Sequence, residues 1–332
     1  MAHPVAASID ELVAGASSRE PMESTDSKSG AQFERVVIGG ERFVLKHVDT
    51  ASDWIMRQTG DIGLCPVITW ERGIVDLAPP CIDHATVGAA RDGHAGAVLM
   101  RDVSASMVPS GDAPVALEQH LRFLEHLATF HASCWGWDDT NGLIPLANRY
   151  LFFGPHALAC ERDLGFPAAV PRIAAEGWER LESVAPDMAH ALAQLHADPW
   201  ELFAAIAATP RTFLHGDWKL GNLGTDPDGR TVLVDWSMCG AGPPLAELAH
   251  YLALNVARFP PGHTKEDAIT AYRDALERNG IATAPWFDRQ LRLCLLGAML
   301  QLGWEKAYDD TGLELAWWSA HVREGIAELA VE

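Results

Sequence analysis

Six cysteines are all that 332 residues hold, and no two form a CxxC pair. Cys65, Cys81, Cys134, Cys160, Cys239 and Cys294 are scattered along the chain. That spacing argues against a disulfide scaffold and against a zinc cluster. Free thiols in a reducing cytoplasm are the expectation. Basic residues are scarce as well: 25 Lys and Arg stand against 45 Asp and Glu, a net charge of −20. Nucleic acid and anionic membrane both demand a basic footprint, so neither is expected as a partner. No apolar run reaches the ~20 residues of a membrane span. LRLCLLGAMLQLGW (291–304) comes nearest and reads as a buried helix. The opening MAHPVAASIDELVAGASS lacks a basic segment followed by an apolar core, so no secretory leader is expected.

Several motifs are missing too. No G-x-G-x-x-G follows a strand, no GxxxxGK[ST] occurs, and no G-x-S-x-G elbow is present. Dinucleotide folds, P-loop sites and serine hydrolases are thereby disfavoured. The composition itself is ordinary for a globular protein, with 48% hydrophobic and 21% charged residues. A chain of 332 residues is too long for one small core and suits two lobes sharing a cleft.

Residues 1–20 read as a short helix or a loose tail, with Ser8 as cap and Glu11 three residues on. ESTDSKSGAQ (23–32) is rich in Ser, Gly and polar residues. FERVVI (33–38) and ERFVLKHV (41–48) read as strands joined by a tight turn at Gly39-Gly40. The second strand carries Lys46 among apolar neighbours, where a lysine needs a partner or a ligand. Residues 50–75 are mainly helical in pattern, interrupted at Gly60, Gly63 and Pro66. GAVLMRDVS (96–104) begins as a buried strand and turns polar at Arg101-Asp102. The boundary falls there, with 1–102 as the smaller lobe and 103–332 as the larger.

Apolar residues at three- and four-residue steps make 115–135 a long amphipathic helix. Residues 136–175 look loop-rich, and helices follow at about 176–208, broken by Pro186 and Pro199. A strand at 212–214, a loop at 215–221 and a brief strand lead to the turn DPDG (226–229). The strand TVLVDW (231–236) returns, and a helix covers 244–258. The remainder is helical, with breaks near Pro260-Pro261, Gly280 and 309–312. Strands first and helices later make an α+β plan.

The stretch FLHGDWKLGNLG (213–224) concentrates the chemistry. Asp217 sits in a loop after a strand, Asn222 follows five residues later, and Asp235 ends the strand VLVDW. A hairpin between them brings all three to one end of a ladder. Two carboxylates and an amide oxygen form a hard-oxygen set suited to Mg²⁺, which prefers one or two carboxylates with phosphate and water. Phosphoryl transfer asks for such parts, because its work is positioning and charge neutralisation. Asp217 is placed to accept or orient the proton of an incoming hydroxyl, while Asn222 and Asp235 hold the metal. Lys46 reaches the phosphates as a point charge. The plainer alternative for the loop is a polar turn between strands.

His215-Gly216-Asp217 with Asn222 and then Asp235 resembles the catalytic loop and metal-binding aspartate of the aminoglycoside phosphotransferase and choline kinase-like family. FVLK around Lys46 is similar to the family's phosphate-binding strand, and GAVLMRDVS to its interlobe linker. The resemblance runs from about residue 25 to 255. It implies a bilobal protein-kinase-like fold, with a small antiparallel-sheet lobe and a larger, mostly helical lobe. It implies ATP and Mg²⁺ as cofactors and a small-molecule hydroxyl as acceptor. Asp217 becomes the base, and Lys46 the ligand of the α- and β-phosphates. His215 becomes a brace of the loop.

Met100 and Asp102, within the segment to Val103, line the adenine pocket through backbone groups. Ser27, Ser29 and Gly30 sit where the family covers the nucleotide, with a flexible linker as the alternative. Lys219, two residues after Asp217, either stabilises transferring phosphoryl oxygens or is solvated. Glu71, Asp53 and Asp61 are among the acids after Lys46, and none stands where the family has the glutamate that pairs with its lysine. Glu247 and His250 read as part of a helix bracing the loop behind Asp235. Trp135, Trp137, Trp304, Trp317 and Trp318 fall in the lobe expected to bind the acceptor. The acidic charge favours an aminosugar or another cationic metabolite. A non-catalytic nucleotide-binding regulator and a sugar or amino-alcohol kinase are the alternatives.

Overall fold

The computed structural model describes residues 2–22 and 29–330. Its smaller lobe rests on one five-stranded antiparallel sheet. After helix α1 (Ile9–Leu12) come β1 (Ala16–Met22), β2 (Phe33–Ile38) and β3 (Glu41–Asp49). Helices α2 (Trp54–Thr59) and α3 (Cys65–Glu71) then lead to β4 (Ile82–Asp83), β5 (Thr86–Asp92) and β6 (Ala95–Arg101). The sheet order is β1-β2-β3-β6-β5, so β3 is central. Gly39 and Gly40 take φ of 62° and 88°, and Ile38 pairs with Glu41 across them. Two consecutive positive φ values are what a tight hairpin of the right twist requires.

Two parts of this lobe differ from the expectation. Ser8 does cap a short helix, accepting from the Glu11 amide at 3.1 Å. Beyond it, however, ASSREPM forms an edge strand rather than a tail. Four of its seven residues are polar and its apolar ones sit at the two ends, so it shows no apolar alternation. What fixes it is pairing with β2, where Arg19 grips Glu34 through Nε at 2.7 Å and its second terminal nitrogen at 2.9 Å. The strand β5 was hidden by small residues. A Cβ on Gly96 would stand 2.5 Å from the Ala90 carbonyl, so these strands need the side chains they lack.

The larger lobe begins with α4 (Leu117–Ser133), α5 (Leu146–Leu151), α6 (Pro155–Asp163), α7 (Ala169–Val184), α8 (Pro186–Ala197) and α9 (Trp200–Ala207). The stretch 136–175 is therefore not mainly loop. Its helices are six and nine residues long, too short to display a period. Pro66, Pro155 and Pro186 open helices in the first turn, where the missing N–H costs nothing.

Four short strands follow: β7 (Thr212–Leu214), β8 (Leu223–Thr225), β9 (Thr231–Leu233) and β10 (Gly240–Gly242). β8 and β9 pair antiparallel, β4 adds in parallel to β9, and β10 pairs with β7. β9 stops at Leu233, so Asp235 lies beyond the strand instead of ending it. Helices α10 (Pro244–Asn255), α11 (Lys265–Arg278), α12 (Phe287–Lys306) and α13 (Leu313–Leu329) complete the chain. α12 is buried over most of its surface, including Leu293, Leu296, Met299 and Leu300 at 0% exposure. A helix apolar all round belongs in a core. Among the described residues no helix is long and apolar enough to cross a membrane.

Candidate active site

Lys46 reaches the cleft because strands alternate. Val44 and Val48 share its face of β3 and pack with Met56, Val98 and Met100. Leu45 points the other way, into a cluster with Val36, Ala97 and Leu99. Lys46 is only 5% exposed, and its Nζ lies 2.5 Å from Asp235 Oδ1 and 2.8 Å from Ser237 Oγ. The acid that meets this lysine is thus Asp235, across the cleft. Asp53 spends its carboxylate as the N-cap of α2, accepting from the Ile55 and Met56 amides at 2.9 and 3.1 Å. Burial holds the Asp53 carboxyl above its ordinary range, against the pull of Lys46. Asp61 accepts from the Cys65 amide, and Glu71 pairs with Arg91 at 3.3 Å.

Lys46, Asn222 and Asp235 line one cavity of about 520 Å³, together with Val44, Met100 and Val234. That size suits a nucleotide. Met100 is there as expected. Asp102 is not in the wall; its carboxylate turns to the Ser104 amide at 3.1 Å and hydroxyl at 2.5 Å, and Arg101 and Val103 line the cavity instead. Ser29 and Gly30 also lie outside the lining. Ser29 offers its carbonyl to the Trp54 amide at 3.3 Å, and a Cβ on Gly30 would approach the Ser52 carbonyl at 3.1 Å. They pack on the start of α2, while Met22 and Phe33 reach the cavity. Ser27 lies outside the described residues.

The catalytic loop leaves β7 through Gly216, whose φ is 83°. A Cβ there would sit 2.0 Å from the Met238 carbonyl, a contact no side chain tolerates. Glu247 of α10 holds the loop from below. Its Oε1 accepts from the Gly216 amide at 2.6 Å, and its Oε2 from the His215 amide at 3.1 Å and from His131 Nε2 at 3.0 Å. Burial pushes the Glu247 carboxyl up, but the hydrogen bond and charge of His131 outweigh it and hold it below its ordinary value. Asn255, at the end of the same helix, accepts from the Leu220 amide at 2.9 Å. α10 therefore holds the loop from both of the helix's ends; the sequence pointed to a bracing helix but not to the Gly216 and His215 amides as its partners.

Asp217 receives three donors. His250 Nε2 meets Oδ1 at 3.1 Å, while Lys219 Nζ and Asn222 Nδ2 meet Oδ2 at 2.7 Å each. Burial alone would raise this carboxyl; the Lys219 charge and the His250 bond reverse the sign and hold it far below the usual range. Asn222 Nδ2 also donates to the Asp217 carbonyl at 2.9 Å. Both amide hydrogens are then committed, and Oδ1 is left to face the cavity. Asp235 stands at φ 66°, a left-handed conformation uncommon outside glycine. Its Oδ1 takes Lys46 and the Ser237 hydroxyl, the latter at 2.7 Å, which leaves Oδ2 for a ligand. Burial raises this carboxyl and Lys46 brings it back below its ordinary value. Asn222 Oδ1 and Asp235 Oδ2 fit a magnesium site that draws its remaining oxygens from phosphate and water. His215 is fully buried, its Nδ1 faces the Asp217 amide at 3.3 Å, and burial lowers its pKa, so it stays neutral within the loop.

The five tryptophans are spread through the larger lobe. Trp318 is fully buried, Trp135 packs on Trp286, and Trp137 packs edge-on to Phe213. Trp317 stacks on His321, and Trp304 packs on Phe153. None of the five lines the cleft cavity.

A sheet lobe, a helical lobe and this loop between them define a two-lobed, kinase-like small-molecule phosphotransferase. The chain belongs to the phosphotransferase enzyme family, whose model matches residues 28–282. Solved structures share the fold at low identity. A choline kinase from Streptococcus pneumoniae is 14% identical, with 98% of this chain and 96% of that one covered and a TM-score of 0.52. A microcompartment-associated aminopropanol kinase is 12% identical over 93% and 90%, with a TM-score of 0.51. A search of curated proteins returned no match.

Proposed function

We propose that the protein transfers the γ-phosphoryl group of ATP to a hydroxyl of a small molecule. The observation that carries this reading is the meeting of Lys46, Asn222 and Asp235 in one cavity, with Asp217 hydrogen-bonded to Asn222. Nucleotide-bound kinases among the fold's relatives agree with ATP as donor, including a complex with AMP at TM-score 0.50.

Asn222 and Asp235 would hold Mg²⁺, which when bound neutralises charge on the phosphate oxygens. Lys46 exchanges Asp235 for the α- and β-phosphates when ATP enters. Asp217, ionised throughout the neutral range, orients the acceptor hydroxyl and takes its proton as the bond to phosphorus forms. A weak base suffices, because the transition state is loose and the hydroxyl proton leaves late. Lys219 fixes Asp217 Oδ2 and adds positive charge beside the transferring group. The test is ADP release with MgATP across a panel of hydroxyl compounds. Wild type should show acceptor-dependent turnover that Asp217→Ala abolishes. Equal rates in both proteins at every acceptor would instead make the chain a nucleotide-binding regulator.

A further inference from the structure

A second, small pocket borders the loop at Gly216 and shares no lining residue with the cavity of Lys46 and Asp235. Its volume is about 20 Å³, room for one hydroxyl-sized group. Gly216 and His250 bring it against Asp217, and Leu146, Leu214 and Ala246 give it apolar walls. Gln301 of α12 closes it. Gln301 is 5% exposed and its side chain makes no hydrogen bond among the described residues, while Tyr150 Oη and Arg149 Nε of the same wall are fully buried without a partner. A buried polar group left unpaired costs about 1–3 kcal/mol, so a wall that carries such groups marks a place where a ligand supplies partners.

The carboxylate of this wall is already engaged, and its arginine is engaged through both terminal nitrogens while Nε stays unpaired. Glu247 spends both oxygens on two loop amides and His131. Arg149 donates to the Met238 and Ala241 carbonyls at 3.3 and 2.7 Å. Tyr150 is buried, and burial pushes its phenol well above the ordinary value, so it stays neutral. No carboxylate is free to meet an ammonium group. The overall charge of −20 therefore says little about the part of the acceptor that enters here.

Resting on the phosphotransferase reading above, we infer that this pocket takes one uncharged hydroxyl of a polyhydroxy acceptor. The reactive hydroxyl stays outside it, at Asp217, and the neighbouring hydroxyl enters and pairs with Gln301. Glutamine both donates and accepts, which matches a hydroxyl on either count. A site that hydrogen-bonds a buried hydroxyl discriminates strongly against analogues that lack it. Gln301 is then a specificity-determining residue, and His250 positions Asp217 beside it.

The test measures ADP release with MgATP for wild type, Gln301→Met and Gln301→Glu. One panel holds neutral sugars, inositols and nucleosides; the other holds choline, aminopropanol and aminoglycosides. Calorimetric MgATP binding checks that each variant is folded. The expected result is turnover with a neutral polyol, a KM for it raised at least tenfold in Gln301→Met, and kcat within threefold. Gln301→Glu should also weaken the neutral acceptor and improve the cationic panel. Turnover confined to cationic acceptors overturns the inference while keeping the kinase reading. So does an unchanged KM in Gln301→Met. Silence from both panels with MgATP still bound also overturns it. Failure to bind MgATP at all overturns the kinase reading beneath it.

Discussion

Asp217 and Asp235 face one cleft and are held in opposite ways. Asp217 is tied by Lys219, Asn222 and His250, all from its own lobe, and its loop is anchored to α10 through Glu247 and Asn255. Asp235 depends on Lys46 from the sheet lobe, with Ser237 as its one local partner. On the proposed reading, the acceptor side is preorganised within a single packed body, while the nucleotide side is completed only when two lobes meet and Lys46 exchanges Asp235 for phosphate. Preorganisation at the reacting hydroxyl and adaptability at the donor suit an enzyme that binds one substrate from each side.

The comparison breaks most visibly at Asp217. Asp217→Ala should lower acceptor-dependent kcat by about 10²–10⁴-fold, the range for a lost proton-transfer group, with MgATP affinity kept; steady-state kinetics and calorimetry read the two. Next comes the brace. Glu247→Ala strands two buried amides and His131, and should cost roughly 3 kcal/mol, read as a lower urea midpoint at unchanged m.

Third is the pH dependence of two buried carboxylates. Burial raises Asp61, 4% exposed in the smaller lobe, to about 6. Its stabilisation is full below the unfolded value of ~3.9 and is lost as pH rises through about 6. Asp217 is depressed, so its stabilisation is present above ~3.9 and disappears only under stronger acid. Asp61→Asn keeps the cap on Cys65 and should gain about 2 kcal/mol at pH 7 but little at pH 4, measured by urea unfolding at both. The smallest effect belongs to the interlobe pair. Lys46→Met should raise KM for ATP about tenfold, the worth of one charge-assisted bond, with a nearly unmoved urea midpoint because Asp235 is partly solvated.

Much of the site was legible because its parts lie close in the chain or on a regular strand. The spacing of Asp217, Asn222 and Asp235 predicts a hairpin, and β8 and β9 form one, with the Val234 amide on the Asn222 carbonyl at 3.1 Å. Alternation along β3 predicts a face for Lys46. Elsewhere the pattern was silent or misleading. β1 carries too few apolar residues to alternate, and α5 and α6 are too short to show a period. Ser29 and Gly30 match a loop by composition, but composition does not say which neighbour they pack on.

By itself the sequence determined the hairpin of β2 and β3, the hard-oxygen loop and the lysine strand, because each is written in residues a few positions apart. Only the tertiary structure decided that Lys46 meets Asp235, 189 residues away, and that Glu247 holds the loop. It alone placed Gln301 in one pocket with Gly216 and His250. Local spacing fixes dihedrals and faces; which faces meet is settled by packing, since a buried polar group is stable only where a distant segment supplies its partner.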